Sequence, residues 1–284
     1  SMAQSFKNSL PLLEELGAFG SLRDPAPGSS RYISTKTNQN FRLLYKDFEI
    51  LEPRYEDGTP IEPKFFLPII PTVLLNGSSG IAVGFATNIL NRNPLELVDA
   101  CLAVLDNKKF KPLLPWNAFF KGEVNLLEGK KYQFKGVYKI VNTSTVEVTE
   151  LPLSMTYEKY EAILDKLEAD GKIQSYENNC SDNVSYILKF TRADLAELIK
   201  KDGLIKLLKL AETDTENLTC LDERGKLVIF NSHIELIEYF VKFRLSQYTK
   251  RKAYLLETLN SQNRILENRI RFIKAIISGE LVVN

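Results

Sequence analysis

Arg31 and Tyr32 follow the proline- and glycine-rich stretch Asp24-Pro25-Ala26-Pro27-Gly28 and open a run with helix-like apolar spacing. A phenol, with an ordinary pKa near ~10, is a weak nucleophile unless a cation stabilises its anion or the group it attacks. A guanidinium stays charged and can hold two phosphate oxygens at once, so it is suited to be the cation that such a phenol, or the phosphate it attacks, would need. Backbone amides at a helix start would favour the same anion. The plainer reading is a half-buried helical tyrosine beside a solvated arginine, and the dipeptide alone does not choose between them.

The second unusual composition is Asn76-Gly77-Ser78-Ser79-Gly80-Ile81-Ala82-Val83-Gly84. Ser78 and Ser79, flanked by glycines, let a backbone approach another polymer closely. Ile81 is the one large aliphatic between Gly77 and Val83, and an exposed aliphatic so placed can wedge between stacked base pairs. Otherwise, Ile81 packs into a core beneath a tight turn. Two further clusters read more simply. Glu212-Thr213-Asp214-Thr215-Glu216 offers carboxylates for magnesium, but the pattern is better explained as a solvated loop. His233 stands near a helix cap and reads as structural.

Composition narrows the chemistry further. The chain has 284 residues, 37 basic against 36 acidic, a net charge of +1, three cysteines and a single histidine. Mean hydropathy is −0.16, and no run approaches the ~18 apolar residues of a membrane span. Near-neutrality gives no bulk reason to bind nucleic acid, so such a partner must be argued from local clusters. One histidine disfavours His-assisted nucleophiles and His-rich metal centres. Cys101, Cys180 and Cys220, without a CxxC pair, suit a reducing cytoplasm. No GxxxxGK[ST] loop is present, so any nucleotide would be hydrolysed by another chain.

The elements that must carry these residues follow from periodicity. Residues 3–16 read as the end of a helix and a connector, and the stretch from Ser29 or Ser30 to Leu51 as a helix with one buried face. Phe65–Leu75, containing Pro68 and Pro71, reads as buried and extended. Pro94–Leu105 reads as a helix capped by Asn93. Short β-type runs between 120 and 151 predict a twisted antiparallel sheet; helices at Thr156–Asp170 and Arg192–Lys201 flank a strand at Tyr186–Phe190, and Leu227–Phe230 is a further strand. His233–Ile277 lacks Pro and Gly and reads as one long amphipathic helix of coiled-coil type. It is locally basic: between Tyr239 and Lys274, nine Lys or Arg face two acids, Glu257 and Glu267.

Taken in order, Met2–Phe6, Gly17–Ser21, Ser30-Arg31-Tyr32-Ile33, Pro68–Pro71 and Leu75–Gly84 resemble the motifs of the DNA breakage and reunion subunit of type IIA topoisomerases. Phe119–Gly122 and Glu150–Pro152 resemble positions in that family's tower region, so the similarity spans essentially the whole chain. A short separate subunit with this wording is most similar to the medium-subunit type of the T-even bacteriophages.

The resemblance implies an α+β architecture: the C-terminal part of a winged-helix domain (1–66), a tower domain with antiparallel sheet and helices (67–232), and the beginning of a coiled coil (233–284). Tyr32 then matches the catalytic tyrosine, Arg31 its assisting arginine, and Ile81 the intercalating isoleucine, with Ser78 and Ser79 beside it on DNA. It further implies Mg²⁺ held by a partner's toprim domain, ATP hydrolysed by that partner subunit, and a homodimer of cleavage subunits within a hetero-oligomer on double-stranded DNA. The location expected is cytoplasmic, that of an infected bacterium for a phage protein. The chain reads as a central cut of a longer subunit, inactive by itself; Ser30 stands where some relatives have Pro. Two competing readings are a catalytically silent DNA-bending scaffold and a tyrosine recombinase, the latter disfavoured by the single histidine.

Overall fold

A computed structural model describes residues 1–181 and 183–282 as a mixed α/β chain built around two separate hydrophobic cores. The first core gathers Leu74, Leu75, Ile89, Leu97 and Leu218 against Leu236, Ile237 and Val241 of the long helix. The second gathers Val146, Val148, Leu164, Tyr186, Leu188, Leu195 and Leu210. Each is closed by helices laid on strands, so apolar side chains alternate along the strands and recur at helical spacing on the helices.

Several elements lie where periodicity placed them. Pro94–Leu105 is a helix whose Asn93 side chain accepts from the Leu95 and Glu96 N–H groups. Tyr157–Ala169 and Arg192–Lys200 are helices capped by Thr156 and Thr191. Tyr186–Lys189 and Leu227–Ile229 are strands. The predicted β-runs are real but divide between two antiparallel sheets. One has the order Ser175–Asn178, Tyr186–Lys189, Thr145–Glu150, Val137–Asn142; the other Ala211–Thr215, Lys131–Lys135, Glu123–Leu126.

The long helix spans His233–Ile277, about 68 Å at ~1.5 Å per residue. Ser232 caps it through the Glu235 N–H, and the Glu235 carboxylate reaches back to the Asn231 N–H at 2.8 Å. Its first turns are buried in the first core. Farther along, Leu255, Leu259, Leu266, Ile270 and Ile273 are exposed. Asp47 ties the helix to the 47–50 turn, accepting from Arg244 and forming an ion pair with Arg251 at 3.3 Å. Among the described residues, no helix is long and apolar enough to cross a membrane.

Three expectations need correction. Residues 3–16 are not a helix end: turns lead into a strand at Leu13–Leu16. That strand pairs with Ser34–Thr37, so the stretch read as one helix from Ser29 breaks into a 3₁₀ turn (Ser30–Tyr32), a strand, and a short helix (Gln39–Leu44). The mixed apolar spacing came from short elements in series, and the pairing that separates them is non-local. Likewise Phe65–Leu75 is extended only as far as Pro71; Thr72–Asn76 is helical, and Gly77 with φ 67° stops it.

Candidate functional site

Tyr32 ends the 3₁₀ turn Ser30–Tyr32, in which its N–H donates to the Ser29 carbonyl at 2.9 Å. It is not a half-buried helical residue. The side chain is 77% exposed, and among the described residues neither the phenol nor the Arg31 guanidinium has a hydrogen-bonding or ionic partner. Three residues of 3₁₀ turn carry no helix-start field worth invoking, so the local cation here is Arg31 itself.

The loop behind the turn is well fixed. Ser21 N–H donates to Asp24 O (2.7 Å), Gly28 N–H to Ala18 O (2.9 Å), and the Gln4 amide to Phe19 O (2.8 Å). Gly20 has φ +84°, and a Cβ there would meet the Asp24 carbonyl at 2.8 Å, so only glycine closes this bend. Strand pairing of Leu13–Leu16 with Ser34–Thr37 brackets the loop and the tyrosine turn.

From this loop Arg23 runs into the second sheet. Its side chain is 6% exposed and donates to the Pro152, Leu151 and Met155 carbonyls at 2.7, 2.8 and 2.9 Å, and to the Glu150 carboxylate. Glu150 also accepts from the Lys121 N–H at 3.1 Å, and Tyr157 N–H donates to the Arg23 carbonyl at 3.0 Å.

Ile81 projects from a second arm. Ser78–Ile81 pairs with Ala86–Ile89 in a hairpin closed by Ala82 N–H donating to Phe85 O at 2.8 Å. Ile81 is 95% exposed, which excludes the core reading, and Val83 and Phe85 are exposed beside it. Ser78 and Ser79 face solvent opposite Ile89 and Asn88. The root of this hairpin is a ladder. Asn88 and Asn217 exchange backbone bonds at 3.0 and 2.8 Å, and the Asn217 amide donates to Ala86 O at 2.7 Å.

Below the ladder, Arg92 and Glu216 form a two-pronged pair, both bonds 2.9 Å, with side chains 0% and 1% exposed. Glu216 also accepts from the Leu90 N–H at 3.1 Å. His233 lies nearby, its Nε2 accepting from the Leu113 N–H at 3.0 Å; burial and then the Arg92 charge lower its pKa to about 4. A neutral acceptor is therefore its role, as expected for a structural histidine.

The acidic run 212–216 is not a solvated loop. Ala211–Thr215 is a strand, because its residues complete the edge beside Lys131–Lys135, and Glu216 is buried by Arg92. Glu212 accepts from the Ser154 hydroxyl and Asp214 from the Asn88 amide at 2.8 Å. All three carboxylates are engaged by protein, which does not suit a magnesium set.

The two arms meet at one groove of about 730 Å³, lined by Leu22 and Pro25 of the tyrosine loop, Ser78 and Ser79 of the hairpin, and Lys7 and Lys159. Tyr32 and Ile81 themselves do not line it. Sequence reading found both tips but missed the roots, Arg23 and Arg92 with their glutamates. Glu150 lay within a quoted motif, yet nothing local marked its partner.

This mixed α/β chain superposes on the crystal structure of the DNA-binding, cleavage and re-ligation domain of Plasmodium falciparum topoisomerase II with a TM-score of 0.93 at 33% identity, covering 100% of this chain and 40% of that one. The chain belongs to the DNA gyrase/topoisomerase IV A-subunit family, whose model matches residues 1–284. It is 36% identical over 288 residues to the DNA topoisomerase medium subunit of Enterobacteria phage T4, covering 99% of this chain and 64% of that protein. It is also 32% identical over 295 residues to DNA topoisomerase 2 of Plasmodium falciparum, covering 100% of this chain and 21% of that one.

Proposed function

We propose that the chain is the DNA cleavage and religation component of an ATP-dependent type II topoisomerase. The observation that carries this reading is a phenol and a guanidinium adjacent in sequence, exposed, and free of protein partners among the described residues, on a loop held rigid behind them. A silent scaffold has no use for that arrangement.

The Tyr32 oxygen attacks a DNA phosphate, forming a 5′-phosphotyrosine ester as the P–O bond to the 3′ oxygen breaks. The phenolic proton is lost and the departing 3′ oxygen gains one, so atoms and charge balance. One ester replaces another, and after passage of a second duplex the 3′-hydroxyl attacks the phosphotyrosine to reseal the strand. Arg31 binds the non-bridging oxygens and opposes charge accumulating on them. Mg²⁺, supplied on a partner's toprim domain, stabilises negative charge at the scissile phosphate when bound. ATP is hydrolysed by that ATPase/toprim subunit.

Ile81 enters the base stack and bends the duplex, while Ser78 and Ser79 let the hairpin backbone lie close to DNA. In this reading residues 1–66 are the C-terminal part of a winged-helix domain, 67–232 the tower, and 233–284 the start of a coiled coil whose exposed leucine and isoleucine positions await a second helix. The working form is a dimer of cleavage subunits within a hetero-oligomer that includes the ATPase/toprim subunit, acting in the cytoplasm. The test is denaturant trapping: with the full-length subunit, its partner, Mg²⁺ and duplex DNA, mass analysis finds the adduct on the Tyr32 peptide, with the 5′ DNA end blocked. A blocked 3′ end is the tyrosine-recombinase outcome.

A further inference from the structure

We infer that Arg23 is a positioning residue for the cleavage step, acting as a fork that fixes the tyrosine loop to the second sheet; the inference rests on the reading of Tyr32 as nucleophile. Strand pairing with Leu13–Leu16 begins only at Ser34, beyond Tyr32, and among the described residues the 17–28 loop otherwise bonds to itself and to Gln4. Its anchorage to the sheet body is Arg23, through four acceptors on Glu150, Leu151, Pro152 and Met155, together with the Tyr157 N–H on the Arg23 carbonyl. The salt-bridged residues lie 127 positions apart.

The planar fork fits this task and a lysine does not. Two guanidinium nitrogens reach a carboxylate and three carbonyls at once, which fixes rotation as well as distance. Glu150 is itself oriented by the Lys121 and Leu151 N–H groups, both at 3.1 Å. The position set at Arg23 passes through the Gly28–Ala18 backbone bond to Gly17, where an added Cβ would lie 3.0 Å from the Tyr32 carbonyl. Little slack exists along that path. In-line attack tolerates little error, since ~1 Å of misplacement can lower a rate by about 10²-fold.

The experiment uses the full-length subunit with its ATPase/toprim partner, Mg²⁺ and a duplex carrying fluorophores at both ends. It compares wild type, Arg23→Lys, Arg23→Met and Glu150→Gln. Three quantities are read: affinity, bending by energy transfer, and the single-turnover rate of Tyr32 adduct formation.

Positioning predicts DNA affinity and bending within ~2-fold of wild type. Cleavage falls about 10²-fold in Arg23→Met, nearly as far in Arg23→Lys, and about 3- to 10-fold in Glu150→Gln, which keeps an acceptor oxygen but loses the charge. Undiminished cleavage in folded Arg23→Met overturns the inference, as does a parallel loss of affinity, bending and cleavage. Should Arg23→Met not fold, Glu150→Gln decides on the same criteria. A wild-type protein that forms no adduct on Tyr32 sinks the proposed function instead, so the two failures are distinguishable.

Discussion

The tyrosine loop and the isoleucine hairpin are alike at their tips and unlike at their roots. Each tip is bare to solvent, and each root ends in a buried Arg–Glu pair whose members are far apart in sequence. The hairpin root also carries a backbone ladder between Asn88 and Asn217, so its direction is set several times over. The tyrosine loop reaches the sheet body chiefly through one side chain. Losing either arginine leaves a buried carboxylate unpaired and costs stability, but with the ladder in place losing Arg92 should leave the aim of its arm largely intact, whereas losing Arg23 should cost aim as well. Bare tips on stiff roots suit groups that must meet a rigid polymer in a fixed pose without paying to order themselves on binding.

The largest effect belongs to the tyrosine tip. On the proposed function, Tyr32→Phe removes the attacking oxygen and should lower trapped covalent DNA by roughly 10³-fold or more. Because the side chain is 77% exposed, stability should move by less than about 0.5 kcal/mol. Undiminished adduct in this variant would place the nucleophile elsewhere and dissolve the assignment of the arm.

Arg92→Met examines the opposite root. With Glu216 only 1% exposed, its carboxylate would be left charged and unpaired, a loss of about 3–5 kcal/mol in denaturant unfolding. A loss under ~1 kcal/mol would mean that the ladder alone defines the hairpin.

His233 adds a pH signature to that root. Its folded pKa of about 4 lies below the ordinary 6.5, so the unfolded chain binds the proton more readily. This contribution to stability is whole above pH ~7, declines as pH falls through 6.5, and is exhausted near pH 4. The span of ~2.5 units corresponds to about 3 kcal/mol. Unfolding titrations of wild type and His233→Gln should therefore diverge in slope between pH 4 and 6.5; coincident slopes would show that the imidazole protonates as easily folded as unfolded.

What was legible in the sequence divides along the same line. The tips were readable because they are local words: Arg31-Tyr32 after a Pro/Gly loop, and an aliphatic among glycines and serines. The long helix was readable because 45 residues pass without a breaker. The roots were not, since Arg23 and Glu150, like Arg92 and Glu216, meet across 127 and 124 residues and leave no periodic trace. The acidic run misled for that reason, its last carboxylate looking solvated until its arginine was placed. The stretch from Ser29 to Leu51 misled similarly, because strand pairing with Leu13–Leu16 overrode helix-like spacing.

The smallest stability effect carries the most information about the hairpin. Ile81 is 95% exposed, so Ile81→Ala removes almost no buried area and should change unfolding free energy by less than about 0.5 kcal/mol. On the proposed function the same side chain enters the base stack, where it must offset an unstacking cost of a few kcal/mol. Truncation to a methyl should thus reduce bending measured by energy transfer and, through it, adduct formation, in a protein whose Tm is unchanged. A large drop in Tm with normal bending would give Ile81 back to the core. If bending persists at unchanged Tm, the wedge is shared with Val83 or Phe85, and the double variant Ile81→Ala/Val83→Ala should abolish it.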